Sequence, residues 1–261
     1  MDLELQGKVA VVTGASEGIG KATSRMLARE GAHVVMCARR PDVLESVADS
    51  IREQTGGSVL AVAGDVRRGE DVERLINRAV DQFGGLHILI NNAGTSAAYP
   101  FESVDDAAWQ NDLDLKLFAA IRSIRLAVPH MKSAGGGSIV NMLNTGAKAP
   151  AAASTPTSVS RAAGLALTKA LSKEYAGDNI RVNAVLIGLI KSGQHEHRAA
   201  ARGVVDMEQM YADEAIKRAL PMGRYGESDE AADLIVFLSS ARASYITGVA
   251  INMDGGVSPV A

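Results

Sequence analysis

Short runs of consecutive apolar residues alternate with longer segments in which apolar residues recur every three or four positions. The runs are Val9–Thr13, His33–Cys37, Val59–Ala63, Ile88–Asn91, Ser138–Met142, Arg181–Val185 and Val249–Asn252. They are short and apolar on both alternating faces, which predicts strands of a sheet covered on both sides. Between them, Lys21–Glu30, Val43–Gln54, Val72–Phe83, Leu113–Lys132, Ser158–Tyr175 and Glu230–Ser239 carry the helical period. Strand-helix alternation with right-handed crossovers predicts a single doubly wound α/β domain over residues 1–261, its parallel sheet flanked by helices on both faces. Ala147–Thr157 is rich in Ala, Ser, Thr and Pro and reads as a loop before a helix. The region 187–220 breaks the alternation after the sixth strand. Ligands bind beyond the carboxyl ends of strands in such sheets, so this irregular region reads as a mobile substrate flap, or else as an ordinary surface excursion.

Composition narrows the partners. A formal net charge of −3 on 261 residues gives no reason to expect nucleic acid or an anionic membrane. An aromatic content of 4% argues against stacking on single-stranded nucleic acid. The single cysteine, Cys37, excludes an internal disulfide framework and a cysteine-rich metal site. His195 and His197 alternate, but their segment is polar and offers no third ligand nearby, so a solvated loop is expected and no metal. The acidic start Met1-Asp2-Leu3-Glu4 lacks a signal peptide's basic and apolar regions. No apolar run approaches the ~20 residues of a membrane span. A cytoplasmic protein is expected.

The most informative stretch is Thr13-Gly14-Ala15-Ser16-Glu17-Gly18-Ile19-Gly20, between a predicted strand and a predicted helix. Glycines there let the backbone turn tightly, and the helix start offers free N–H groups and a positive dipole end to a pyrophosphate. In that context the motif predicts dinucleotide binding through Gly14, Ser16, Gly18, Ile19 and Gly20 rather than a turn that needs glycine for packing alone.

With Gly64-Asp65-Val66, Asn91-Asn92-Ala93-Gly94, Gly137–Asn141, Ile180–Val185 and Tyr245–Gly248 leading to Asp254-Gly255-Gly256, the chain resembles the short-chain dehydrogenases/reductases over essentially its whole length. The resemblance implies a Rossmann-type domain, a nicotinamide cofactor, hydride transfer at a carbonyl or alcohol carbon, and commonly a homotetramer. It implies that Asp65 and Val66 lie at the adenine, that Asn91, Ala93 and Gly94 pass the ribose and nicotinamide side, and that Gly188 and Ser192 close over the cofactor. The second strand ends Cys37-Ala38-Arg39-Arg40. Ala38 stands where NAD-preferring relatives tend to carry an acid, and Arg39 can pair with a 2′-phosphate, which favours NADP over NAD. Glu17 runs against this, since NADP-preferring relatives often place a base there.

Relatives use an Asn-Ser-Tyr-Lys tetrad. In this chain those positions fall at Lys116, Asn144, Thr157 and Arg161. A threonine hydroxyl is far too weak an acid to replace a phenol. Asn144 can donate an amide N–H to a developing oxyanion. Arg161 can hold ribose hydroxyls but keeps its proton. Lys116 is therefore expected to point into the cleft beside Arg161 as proton donor or substrate anchor, facing the nicotinamide site rather than a carboxylate. The alternative is a helix-surface or interface lysine paired with Asp112 or Asp114. Lys148 and Tyr99 lie in loops that should flank the cleft. The leading reading is an NADP-binding oxidoreductase acting on a small-molecule carbonyl or alcohol with a replaced tetrad. The competing readings are a non-redox enzyme such as an isomerase, dehydratase or cyclase, and a catalytically silent cofactor-binding subunit. Apolar positions beyond one helix stripe (Leu117, Ile121, Leu165, Leu167) point to a homotetramer.

Overall fold

A computed structural model describes residues 2–201 and 203–261, without the side chains of Gln194, His197 and Arg198. The elements in chain order are β1 (Val9–Thr13), α1 (Gly18–Arg29), β2 (His33–Ala38), α2 (Pro41–Thr55), β3 (Val59–Ala63), α3 (Gly69–Phe83) and β4 (Ile88–Asn91). Then come β5 (Ala98–Tyr99), α4 (Asp106–Leu113), a π-helical turn (Asp114–Phe118), α5 (Ala119–Ser133), β6 (Gly137–Asn144), β7 (Thr155–Pro156) and α6 (Thr157–Glu174). The chain ends with β8 (Ile180–Ile187), α7 (Gly193–Ala200), α8 (Met207–Lys217), α9 (Ser228–Ser239) and β9 (Ala250–Met253). Among the described residues, seven strands form one parallel sheet in the order β3-β2-β1-β4-β6-β8-β9. The strand order reverses between β1 and β4, the switch point at which such sheets open a binding crevice.

Alternation along each strand divides the core into two layers. Ala10 and Val12 of β1 share a layer with Leu27, Leu44, Ile51 and Ile235 from α1, α2 and α9. Val9 and Val11 share the other with Leu75, Ile76, Ile124 and Met131 from α3 and α5. Successive strand side chains point to opposite faces, so an all-apolar strand such as Val9–Val12 needs helices on both sides. Burying each leucine fully contributes about 1.5–3 kcal/mol. Local signals set several boundaries. Pro41 opens α2, where its missing N–H costs nothing, and Gly56 ends it with a left-handed φ of 67°.

Two expectations need correction. The helix read as Leu113–Lys132 starts earlier, at Asp106, and carries a π turn at Asp114–Phe118 between α4 and α5. α4 itself escapes periodicity, since Asp112 is its only buried residue, and its start is marked instead by Asp105 accepting from the Ala108 N–H at 2.8 Å. The region 187–220 is not irregular. It holds α7 and α8, and Tyr211, Ala215, Leu220 and Tyr225 form a small apolar cluster with Leu189, Met207 and Met210. α7 is polar nearly throughout, so no apolar period reveals it. β5 and β7 pair in a two-stranded antiparallel ribbon, Ala98 opposite Pro156 and Tyr99 opposite Thr155. It brings the chain after β4 against the start of α6.

Candidate active site

The turn between β1 and α1 is stitched to the end of β4. Thr13 Oγ1 accepts from the backbone N–H groups of Asn92 and Ala93 at 3.0 and 3.1 Å and donates to the Ile90 carbonyl at 3.2 Å. The Asn92 amide donates to the carbonyls of Thr13 and Gly14, both at 3.0 Å. A Cβ on Gly20 would lie 2.2 Å from the Gly14 carbonyl oxygen, and one on Gly14 would lie 2.9 Å from the Ala93 Cα. Only glycine permits this approach. Ile19 is buried beside the turn and Ser16 is half-buried on it. Ser192 closes over the same turn, since a Cβ on Gly18 would reach its Cβ at 3.4 Å. Gly188 packs on Asp254, and its N–H donates to the Met253 carbonyl at 3.0 Å.

At the other end of the crevice, Arg39 is exposed and lies near Asp65, whose carboxyl its charge helps to hold down. Arg40 is committed instead, with its guanidinium paired to Glu17. That pairing neutralises the acid that argued against a phosphorylated cofactor. The Asp65 carboxyl sits below the usual range, chiefly because Arg67 hydrogen-bonds it, with Nε at 3.0 Å from both oxygens. Val66 is buried next to it. The Asn91 side chain turns into the sheet, donating to Asn141 Oδ1 at 2.9 Å, so only its backbone faces the crevice side.

Lys116, Asn144, Thr157 and Arg161 come from the π turn, the end of β6 and the first turns of α6. The Lys116 side chain has no exposed surface. Its ammonium is ion-paired with Asp112 and donates to Thr157 Oγ1 at 2.7 Å. Thr157 Oγ1 also accepts from the Ala97 N–H at 2.9 Å. Ser160 Oγ lies 2.7 Å from Asp112 Oδ2 and 3.0 Å from the Thr157 carbonyl. Arg161 Nη1 donates to the Met142 carbonyl at 2.7 Å, and its Nη2 lies against Gly94, where a Cβ would come within 2.6 Å. Arg161 Nε and Asn144 Oδ1 are buried with no hydrogen-bond partner among the described residues.

The expectation that the Lys116 ammonium avoids a carboxylate is thus corrected, since Asp112 pairs with it. The alternative's pairing with Asp112 is present, but on buried residues instead of a helix surface. Asp114 pairs with Arg122 instead. Burial first, and the Arg161 charge second, push the Lys116 ammonium down to about 8 despite Asp112. Burial likewise brings the Arg161 guanidinium down to about 10, against Asp112. Lys148 turns away from the cleft, donating to the Ala250 carbonyl and to Asn252 Oδ1 at 2.9 and 3.0 Å. His195 meets the rings of Tyr211 and Tyr225 edge-on, and the His197 side chain lies outside the described residues.

Thr13, Asn92 and Ser160 of these networks were not singled out from sequence, and Asp112 was named only as the partner of a surface or interface lysine. Thr13 and Asn92 lie inside motifs that were noticed for their glycines. Asp112 carried a signal, its four-residue spacing from Lys116 on one helix face. Ser160 carried none, because its contact with Asp112 spans 48 positions.

The sequence model described as enoyl-(acyl carrier protein) reductase matches residues 14–258. A human relative, dehydrogenase/reductase SDR family member 4, is 36% identical over 97% of this chain and 88% of its own length. L-sorbose reductase from Gluconobacter frateurii, solved with NADPH and L-sorbose, superposes with a TM-score of 0.93 at 37% identity, covering 100% of both chains. A short-chain oxidoreductase from Pseudomonas aeruginosa PAO1, solved with NADPH bound and described as containing an atypical catalytic centre, gives 0.92 at 34% identity, covering 98% of this chain and 99% of that one. Among the described residues no helix is long and apolar enough to cross a membrane. The glycine turn at the β1/β4 switch point, the seven-stranded parallel sheet and these full-length likenesses lead to one conclusion: the chain belongs to the short-chain dehydrogenase/reductase family of oxidoreductases.

Proposed function

We propose that the protein is an NADPH-dependent oxidoreductase that interconverts a carbonyl and an alcohol on a small molecule, with the family's catalytic tetrad replaced by Lys116, Asn144, Thr157 and Arg161. The observation that carries this reading is the buried Lys116 ammonium, hydrogen-bonded to Thr157 at the family's acid position and tuned to about 8. A group of that strength near working pH suits a general acid. The cofactor would lie across the Gly14–Gly20 turn, with Arg39 at its 2′-phosphate, Asp65 and Val66 at the adenine, and Gly94 and Arg161 at the nicotinamide ribose. The glycine turn that side chains cannot enter, and the unpartnered Arg161 Nε, fit such a ligand. When bound, reduced nicotinamide supplies a hydride. Lys116 is the source of the proton that the oxygen gains, and Asn144 holds that oxygen. Its amide N–H suits a carbonyl oxygen or a developing oxyanion. Reduction needs the ammonium form, so its rate should fall as pH rises through about 8.

Exposed Phe118 on the π turn and Val159 on α6, with Tyr245 and Val260 towards the C-terminus, are apolar surface suited to burial between copies of a homotetramer. The test is a panel of carbonyls and alcohols with NADPH, NADP and their non-phosphorylated forms, followed at the nicotinamide absorbance beside a direct binding titration. NADPH oxidation by a carbonyl supports the reading. Binding without turnover of any pair favours a silent cofactor-binding subunit. Light scattering at micromolar concentration should give four times the chain mass, and a monomer would remove the assembly claim.

A further inference from the structure

Thr157 Oγ1 receives two donors, the Ala97 N–H at 2.9 Å and the Lys116 ammonium at 2.7 Å. A hydroxyl has two lone pairs and one proton. Both lone pairs are taken, so the proton must point away from both donors. No acceptor among the described residues takes it. Thr157 and Lys116 are both buried, at 5% and 6% exposure, and the Lys116 side chain has no exposed surface. The ammonium is wholly covered and already donates to Asp112 and Thr157, so the Thr157 proton, directed away from both of its donors, is the one left to give to a substrate oxygen.

Resting on the reading above, we infer that the Thr157 hydroxyl delivers the proton to the substrate oxygen as the outer link of a two-proton relay from Lys116, and that Asp112 and Ser160 are the positioning residues of that relay. The balance is simple. The hydride and its electron pair add to the carbonyl carbon from the reduced nicotinamide. The carbonyl π pair moves onto oxygen, which takes the Thr157 proton while Thr157 Oγ1 takes one from Lys116 Nζ. The alcohol forms, and Lys116 is left a neutral amine, reprotonated from solvent. Thr157 never carries a negative charge, so the weakness of an aliphatic alcohol as an acid does not limit the step. The acid strength that counts is that of the ammonium.

The groups facing that ammonium come from two elements. Asp112 on α4 favours the charged form, and Arg161 on α6 opposes it. Asp112 Oδ1 takes the ammonium, and its Oδ2 takes the Ser160 hydroxyl at 2.7 Å, the shorter and charge-assisted of that hydroxyl's two contacts. The carboxylate is thereby pinned from α6, the helix that carries Thr157. The π turn places Lys116 between the two, an irregularity that recurs at functional sites. Asp112 and Ser160 touch no reacting atom. They fix where the lysine points.

The relay is tested with Thr157→Val, which keeps the shape and removes the hydroxyl, and with Thr157→Ser, which restores it. On a carbonyl the wild type reduces, Thr157→Val should lower the single-turnover rate by about 100-fold or more, with unchanged NADPH affinity by fluorescence titration, and Thr157→Ser should recover most of it. The wild-type rate should bow downwards against the deuterium fraction of the solvent, as two protons in flight require. A Thr157→Val rate equal to wild type, or a straight line in deuterium fraction, overturns the relay. A second readout needs no substrate. The Lys116 Nζ nitrogen resonance, assigned by its loss in Lys116→Met, should titrate near 8 in the wild type. It should titrate lower in Thr157→Val and Asp112→Asn, which remove an acceptor and a carboxylate, and Ser160→Ala should shift it as well. If no carbonyl or alcohol reacts, the proposed function fails first, and a titration that Thr157→Val leaves unmoved then also overturns the coupling of Lys116 to Thr157.

Discussion

Replacing Asp112 by Asn and Lys116 by Met together removes a buried ion pair without leaving either charge alone. In the folded protein the Lys116 ammonium titrates near 8, against 10.5 for an exposed lysine, because burial and Arg161 outweigh Asp112. That depression corresponds to about 3 kcal/mol. Between those two values the unfolded chain holds the proton and the folded chain has released it. The unfolded state then binds more protons, so stability rises with pH. The wild type should gain about 3 kcal/mol from this group as pH climbs from about 8 to 10.5, with the gain absent below that window. The doubly substituted protein has no such group. The difference in unfolding free energy, wild type minus double variant, therefore separates Lys116 from every other lysine and tyrosine. Urea denaturation at fixed protein concentration across that range measures it. At neutral pH the double variant should match the wild type or exceed it by about 1–4 kcal/mol, whereas each single substitution should lose about 3–5 kcal/mol by leaving one buried charge uncompensated. A difference that stays flat with pH, or single losses that simply add, would refute the argument that a desolvated ammonium sits in this cluster.

Three further outcomes follow from other parts of the molecule. Arg39→Ala should weaken NADPH binding by about 1.5–3 kcal/mol and leave NADH binding nearly unchanged, because Arg39 is the exposed arginine and Arg40 is already paired with Glu17; equal losses for both cofactors in a binding titration would contradict it. Gly20→Ala should abolish dinucleotide binding and lower the melting temperature, since its methyl would stand 2.2 Å from the Gly14 carbonyl oxygen; a variant that binds normally in calorimetry would show that the turn can yield. Cys37 should resist alkylation in the folded protein at mildly alkaline pH and react once urea is added, because burial pushes its thiol up to about 12; rapid modification of the native protein, seen by mass spectrometry, would argue against its burial.

The architecture and the glycine turn were legible in the chain because each rests on local physics. A run such as Val9–Val12 can be buried on both faces only in a covered sheet, and Gly14 and Gly20 are demanded by backbone approach whatever else surrounds them. The chain pattern could not show where Lys116 points. Its ammonium is settled by Asp112 one helical turn away, by Thr157 41 positions on and by Arg161 beyond it, and those meet only because α4, the π turn and α6 pack together. The π turn was not read because the one residue it adds shifts the apolar phase by a single position, too little to mark in so short a segment. α7 and α8 were missed because they bury few residues and pack on their own small cluster. Short-range spacing determined the sheet, the helices and the phosphate turn. Burial, which exists only once distant segments close over one another, decided the state of Lys116 and so the chemistry of the site.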